Sequence, residues 1–154
     1  MTQKEFIKVL DEAGYSYEIE GDKIIVTHED AVYLYTLNTL PPGVEFKNKG
    51  SVDLSLLESL PPGMEFNNGG SVYLSSLESL TPGVEFKNGG DIVLKSLKTI
   101  SPGVEFRNGR SVYLESLIGG WIGYENYNIE EVDSKRLLNV MIKQGVFIGQ
   151  ENNL

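Results

Sequence analysis

A glutamate returns at one position every twenty residues, as Glu45, Glu65, Glu85, Glu105 and Glu125. Strand-like alternation places these side chains on one face, which predicts an outward-facing row of carboxylates that we call the glutamate column. Paired carboxylates can bind cations or perform the acid–base chemistry of glycoside hydrolysis, and a regular row can imitate the phosphate spacing of a nucleic acid. No neighbouring group distinguishes one pair, so the column is a candidate partner-binding row without predicted catalytic residues.

Basic side chains follow three of these glutamates at the second position, as Lys47, Lys87 and Arg107. The same alternation puts them beside the carboxylates, where they can reduce the repulsion within the column as weak, exposed ion pairs. The column is therefore also interpreted as a solubilising ladder that discourages association at sheet edges.

Tyrosines form the second candidate partner-binding set, Tyr33, Tyr35, Tyr73 and Tyr113. The repeat position of Tyr33, Tyr73 and Tyr113 is occupied by Asp53 and Val93 in the intervening repeats. Exposed tyrosines are favoured at interfaces, because a rigid ring offers a large contact area and a polar tip. Cross-strand aromatic packing is the alternative interpretation.

Asparagine occupies a further position with the same period, in Asn48, Asn68, Asn88 and Asn108, which we call the asparagine column. Alternation places it on the side of the apolar residues, so it is predicted to face inward near a corner. Buried amides need hydrogen-bond partners. A structural ladder is expected, with the amides bonding to one another and to turn backbone, and ligand binding is the minor alternative.

The residue types exclude much catalytic chemistry. The chain has no cysteine and one histidine, His28, so thiolate nucleophiles, cysteine-ligated zinc and histidine clusters are absent from the sequence. We find no phosphate-binding glycine loop, dinucleotide motif or nucleophile–base–acid set. The prediction is a protein that is not an enzyme, with no cofactor and no metal.

The elements that carry these columns belong to one internal repeat. Pro61-Pro62-Gly63-Met64-Glu65-Phe66 has counterparts beginning at residues 41, 81 and 101, and Val72-Tyr73-Leu74 repeats in the same register. Proline followed by glycine suits a type II turn. Asn68-Gly69-Gly70 supplies a second corner, and the segment near Leu77–Leu80 can form a third short strand. Twenty residues cannot bury an apolar face alone, but stacked coils can.

The sequence therefore predicts a mainly β protein, a single parallel β-solenoid of about five 20-residue coils with a capping helix at each end. Residues 1–30 are assigned to an N-terminal helix and capping strands, 31–128 to the solenoid, and 129–154 to a C-terminal helical cap, all in one structural domain. Thr2 and Glu5 form a capping-box pattern before the first helix. Trp121, Tyr124 and Tyr127 are expected to pack on the C-terminal helix.

The repeats resemble the short leucine-rich-repeat-like solenoids of uncharacterised bacterial and bacteriophage proteins. The likeness covers about residues 31–118 and has the form L-x-S-L-P-x-G-V-E-F-x-N-G-G-x-V-Y-L. It departs from the standard leucine-rich pattern, because Asn68 follows Phe66 by two residues rather than three. A compact β-solenoid is therefore favoured over a curved horseshoe. The resemblance implies a recognition scaffold and supplies no catalytic motif.

Composition limits the partners. The formal charge is −9 and no basic patch is visible, so direct nucleic-acid binding is not expected. No apolar run is long enough to span a bilayer, and a cytoplasmic location is predicted. The leading hypothesis is a non-catalytic, protein-binding repeat scaffold, which the resemblance extends to a phage-encoded inhibitor of a host defence protein. The alternatives are an acidic nucleic-acid mimic that blocks a nuclease, and a carbohydrate- or cation-binding module.

Overall fold

The computed structural model describes residues 1–101 and 103–114 of the 154-residue chain. Over these residues the protein is mainly β, with a parallel β-solenoid of about four turns that follows an N-terminal helix. The predicted C-terminal cap at 129–154, the aromatic residues Trp121, Tyr124 and Tyr127, and Glu125 lie outside the described residues. In the part that is described, no helix is long and apolar enough to cross a membrane.

Helix α1 spans Gln3–Ala13, as its sequence signals predicted. The Thr2 side chain accepts a hydrogen bond from the Glu5 backbone N–H, and the Thr2 backbone N–H donates to Glu5 Oε2 at 2.6 Å. Gly14 ends the helix in the left-handed conformation, with φ 74°. Phe6 and Leu10 lie on the buried face, so the helix covers the N-terminal end of the hydrophobic core.

Two antiparallel strands follow the helix, β1 (Tyr17–Glu20) and β2 (Lys23–Val26). Gly21, with φ 62°, lies in the turn between them. Strand β2 also pairs in parallel with the strand at Val44–Phe46, so the hairpin begins one of the solenoid sheets. The outermost strand β1 is mostly exposed, while the last three residues of β2 are buried.

The remaining strands are short and belong to three sheets. They are β3 (Val32–Tyr33), β4 (Val44–Phe46), β5 (Val52–Asp53), β6 (Glu65–Phe66), β7 (Val72–Tyr73), β8 (Ser79–Leu80), β9 (Glu85–Phe86), β10 (Ile92–Leu94), β11 (Thr99–Ile100), β12 (Glu105–Phe106) and β13 (Val112–Leu114). The glutamate sheet has the order β1-β2-β4-β6-β9-β12, the tyrosine sheet β3-β5-β7-β10-β13, and the third sheet β8-β11. The third sheet confirms the predicted short strand near Leu80.

The register confirms a coil of twenty residues. Phe46 pairs with Phe66 and Phe66 with Phe86 in the glutamate sheet, and Val52 pairs with Val72 in the tyrosine sheet. Each inward side chain therefore lies against its own counterpart in the next coil. Phe46, Phe66, Phe86 and Phe106 form a stack whose ring centroids are 5.1–5.6 Å apart, with interplanar angles of 5–7°.

The two kinds of corner require glycine for different reasons. Gly63 has φ 71°, the positive value that the second central residue of a type II turn needs. At the other corner, a Cβ atom on Gly69 would lie 2.2 Å from the Lys49 carbonyl oxygen. The preceding coil therefore leaves no room for a side chain at Gly69, whereas the first coil has Lys49 at the equivalent position. The corners thus fix the register that stacks the outer columns.

Candidate functional site

The described members of the glutamate column, from Glu45 to Glu105, lie on the outer side of the glutamate sheet, as predicted, with each carboxylate beside its counterpart. Glu65 pairs in register with Glu45 on one side and Glu85 on the other, and Glu105 pairs with Glu85. Neighbouring backbones in such a sheet are about 4.8 Å apart. This spacing would leave strong repulsion between adjacent carboxylates unless nearby cations offset it.

Cations of the same sheet offset that repulsion. Lys47 Nζ lies 3.3 Å from Glu45 Oε1, and Lys87 Nζ lies 2.5 Å from Glu85 Oε2. The ammonium group of Lys87 also lies 3.9 Å from Glu65 Oε2. Further contacts join Arg107 to Glu105 at 2.5 Å and Lys23 to Glu65 at 3.7 Å. Every glutamate of the described column therefore has a basic partner within the chain.

The Glu85–Lys87 pair alters the protonation of both groups. The hydrogen bond from Lys87 lowers the pKa of Glu85 below its ordinary value of 4.5. The same hydrogen bond raises the pKa of Lys87 above 10.5. Both groups are charged at neutral pH, and each stabilises the charge of the other.

Glu45 corrects one expectation for the column. It was predicted to face solvent, but its exposed fraction is only 7%. Asn67, from the next coil, donates from Nδ2 to Glu45 Oε1 at 2.7 Å, and Lys47 pairs with the same oxygen. Sequence alternation predicts the side of the sheet on which Glu45 lies. It does not predict that a side chain from the next coil covers it. Glu45 is therefore a poor contact point for a partner.

No set of three or more histidine or acidic side chains could hold a metal ion among residues 1–101 and 103–114. The carboxylates are spread along one row and are already engaged by lysine and arginine. The glutamate column thus resembles a network of charges satisfied within the chain more than an open binding site.

The tyrosines lie on the outer side of the tyrosine sheet and its adjoining turn, and they are open to solvent. The exposed fraction is 59% for Tyr33, 54% for Tyr35, 38% for Tyr73 and 50% for Tyr113. Tyr33, Tyr73 and Tyr113 form the tyrosine row, which runs along the solenoid through Asp53 and Val93. Tyr35 lies beside the row, two residues after Tyr33.

The register separates successive tyrosines of the row by two coils, or about 9.6 Å. The ring contacts among the described residues involve the phenylalanine stack and the pair Tyr15–His28, and none joins two tyrosines of the row. Cross-strand packing between tyrosines therefore does not account for these side chains. Their neighbours in the row are an aspartate and a valine, which are too small to cover a phenol ring.

The asparagine column is buried at the corner between the glutamate and tyrosine sheets, as predicted. Its hydrogen bonds to turn backbone confirm one part of the expectation, whereas the expected bonds between amides are not found among the described residues. Asn68 Nδ2 contacts the carbonyl oxygens of Gly50, Gly70 and Ser71 at 3.1, 3.2 and 3.3 Å. The Oδ1 atoms of Asn48, Asn68, Asn88 and Asn108 accept no hydrogen bond from the protein. The amides join turn carbonyls of successive coils rather than one another, because those carbonyls converge at the corner.

Sequence reasoning missed a second ladder beside this corner. Ser51 Oγ accepts from the Ser71 backbone N–H at 3.0 Å, Ser71 Oγ from Asp91, and Asp91 Oδ1 from Ser111. The shared repeat position of these four residues was the available signal. Leu56 was also missed; it is 54% exposed, whereas serine occupies the equivalent positions 76 and 96.

The chain matches no protein-family model, no curated protein and no solved structure.

Proposed function

We propose that this protein is a non-catalytic, protein-binding repeat scaffold with leucine-rich-repeat-like coils, and that the tyrosine row with Tyr35 is its binding surface. The observation that carries this proposal is the exposure of Tyr33, Tyr73 and Tyr113 along one face without ring contacts between them. Nothing in the tyrosine sheet requires aromatic side chains at these outward positions, because the apolar core lies on its other side.

The surface suits binding because its backbone is fixed before a partner arrives. Val72 N–H donates to the Asp91 carbonyl at 2.9 Å, and Leu74 N–H donates to the Val93 carbonyl at 2.9 Å, so the next coil holds the strand at the residues before and after Tyr73. A tyrosine has few rotatable bonds, and ordering it at an interface costs little conformational entropy. A rigid row of phenols can therefore contribute most of its contact area to affinity.

The charges of the glutamate sheet favour this surface over an acidic nucleic-acid mimic. A mimic would present unpaired carboxylates to the basic groove of a nuclease, but Lys47, Lys87 and Arg107 engage the carboxylates of this column. A protein partner would have to displace those contacts. Inhibition of a defence protein, which the resemblance to phage proteins implies, would be one use of the tyrosine surface.

Affinity capture with matched variants tests the proposal. The wild-type chain, Tyr73→Ser/Tyr113→Ser and Glu65→Gln/Glu85→Gln would each be used to capture proteins from a bacterial lysate at low and moderate salt. We expect one dominant protein with the wild type and the glutamate variant, resistant to moderate salt, and its loss with the tyrosine variant at an unchanged Tm.

Two results would overturn the proposal. Retention of the same protein by the tyrosine variant would remove the tyrosines from the interface. Loss with the glutamate variant and at moderate salt would instead identify the glutamate column as the binding surface, because exposed charge interactions are screened by salt.

A further inference from the structure

The tyrosine row has a period of its own, twice that of the coils. Tyr33, Tyr73 and Tyr113 are separated by Asp53 and Val93, one residue per coil in register. With parallel strands about 4.8 Å apart, successive phenols are about 9.6 Å apart and the row is about 19 Å long. A partner that contacts all three must present matching groups at this interval.

The row lies on the face of a sheet, where the backbone offers no hydrogen bonds to a partner. In the tyrosine sheet, Val52 N–H donates to the Ser71 carbonyl at 2.8 Å, and Leu54 N–H donates to Tyr73 at 2.9 Å. A partner strand therefore cannot extend the sheet here, as it would at an open edge. The bound segment must keep its own backbone groups in water or satisfy them internally.

A polyproline II helix and an α-helix both meet this requirement. They differ in how well the axial repeat of their side chains matches the spacing of the tyrosines. Polyproline II has three residues per turn and a rise of about 3.1 Å, so every third residue returns to one face after about 9.3 Å. Over two intervals this is about 0.6 Å short of the row. Residues seven apart in an α-helix are about 10.5 Å apart, which overshoots the same two intervals by about 1.8 Å.

The outward side chains between the tyrosines complete the match. Asp53 and Val93 are shorter than tyrosine, so the row has two low positions, also about 9.6 Å apart. Prolines at positions i and i+3 of a polyproline II segment reach both positions between the phenol rings. Asp53 keeps a negative charge on the face, with Oδ1 bound by the Ser55 N–H at 3.0 Å. A basic residue of the partner near this position would complement that charge.

We propose that the tyrosine row binds a proline-rich segment in the polyproline II conformation, aligned with the solenoid axis, with proline at every third residue and a basic residue next to the proline that lies at Asp53. This inference rests on the proposed protein-binding function and names the partner's chemistry. The segment contributes its pyrrolidine faces to the phenol rings and leaves its backbone solvated.

Calorimetric or fluorescence titration with a defined peptide tests it. The probe is an acetylated, amidated peptide with proline at three successive third positions and an arginine next to the first. The matched control peptide has glycine in place of each proline. We expect saturable binding of the proline peptide and a Kd at least about tenfold weaker for the glycine peptide.

A protein variant tests the spacing itself. Tyr73→Ala/Val93→Tyr keeps three tyrosines in the row but moves the middle one by a single coil, and Asp53 is unchanged. We expect at least about a tenfold weaker Kd for the proline peptide, with an unchanged Tm. Glu78→Gln changes an exposed side chain on another face of the solenoid and should change the Kd less than threefold.

Three outcomes would overturn this inference in different ways. Absence of peptide binding, with tyrosine-dependent capture of a protein from the lysate retained, rejects the polyproline segment and leaves the proposed function standing. Unchanged peptide affinity in the spacing variant rejects the two-coil match. Binding of a β-1,4-linked oligosaccharide to the same tyrosines, without either peptide or protein binding, rejects both proposals in favour of a glycan.

Discussion

The glutamate sheet and the tyrosine sheet are products of the same repeat but differ in how their outer side chains are satisfied. Both stack in a twenty-residue register, and both cover apolar columns on the inner side. The carboxylates of the glutamate sheet contact cations two residues away, such as Glu85 with Lys87. The phenols of the tyrosine row alternate with shorter side chains and remain open. The repeat duplicates both sets of outer side chains, but only the carboxylates are paired with other side chains of the chain.

The difference follows from strand geometry. Residues i and i+2 of a strand share a face, so a glutamate and a lysine at this spacing pair within one coil. Glu45, Glu85 and Glu105 each pair with the basic residue of their own coil in this way. Glu65, whose coil has Asn67 at that position, is paired with Lys23 and Lys87 of other coils. A tyrosine flanked by Asp53 or Val93 has no equivalent partner in the adjacent coil. Outer residues that the chain cannot satisfy are the better candidates for recognition.

The largest predicted effect compares the inner sides of the two sheets. Phe66→Ala removes the centre of the phenylalanine stack and should lower the free energy of unfolding by about 3–5 kcal/mol. Val72→Ala, beneath the tyrosine sheet, should cost about 2 kcal/mol. Urea unfolding of both variants measures the difference. Equal costs would mean that the phenylalanine stack is not the stronger part of the core.

The next effect concerns the corner that joins the two sheets. Asn68→Ala removes the side-chain donor of three half-buried carbonyls, which keep their backbone donors, and should cost about 1–2 kcal/mol. Asn68→Asp should cost at least as much, because a carboxylate would face the same carbonyl oxygens. Urea unfolding midpoints test both, and a loss below about 0.5 kcal/mol for Asn68→Ala would show that the amide is dispensable.

A smaller effect separates binding from stability on the tyrosine sheet. Tyr73→Ser should weaken binding of the captured partner by about 1.4–2 kcal/mol, or at least about tenfold. Its free energy of unfolding should change by less than about 0.5 kcal/mol, since the ring lies outside the core. Partner titration and urea unfolding of one protein preparation measure both quantities. A binding loss that tracks instability would remove the distinction between the two sheets.

The smallest effect belongs to the glutamate sheet and depends on pH. The pKa of Glu85 is lowered on folding, so its stabilisation is present above 4.5 and is lost as pH falls through the folded-state pKa. The raised pKa of Lys87 makes its stabilisation fully present below 10.5 and lost at higher pH. Glu85→Gln should lower the Tm by at most about 2 °C at pH 7.

The Tm difference between the wild type and Glu85→Gln should shrink as the pH falls below 4.5, because protonation makes the Glu85 side chain neutral like glutamine. Thermal unfolding of the wild type and Glu85→Gln between acid and neutral pH measures it. A gap that grows on acidification would contradict the ion-pair assignment, and Glu78→Gln is a control on another face of the solenoid.

Sequence patterns were sufficient for the features that repeat. The twenty-residue register, the Pro-Gly corners, the inward asparagines and the exposed tyrosines each follow from side-chain alternation and turn chemistry. Helix α1 followed from the capping-box pattern of Thr2 and Glu5, whose effects are local. These predictions succeeded because each depends on neighbours along the chain or on the same position one coil away.

Features that depend on contacts between different repeat positions were not predictable in this way. Glu45 is covered by Asn67, which is 22 residues away and breaks the basic pattern of its column. The asparagine amides were expected to bond to one another as well as to turn backbone. Among the described residues they bond only to turn carbonyls, whose convergence exists only after the coils stack. The Ser51–Ser71 hydrogen bond likewise joins a side chain to a backbone N–H in the next coil. Alternation assigns a side of the sheet, but it does not assign a partner.

Side-chain labelling of both sheets, with and without the captured partner, most directly distinguishes their roles. Nitration reports the accessibility of Tyr33, Tyr73 and Tyr113, and carbodiimide coupling reports that of Glu65, Glu85 and Glu105, with both read by peptide mass spectrometry. Bound partner should protect the three tyrosines and leave the glutamate labelling unchanged. Protection of the glutamates with undiminished tyrosine nitration would contradict the assignment of the tyrosine row as the binding surface.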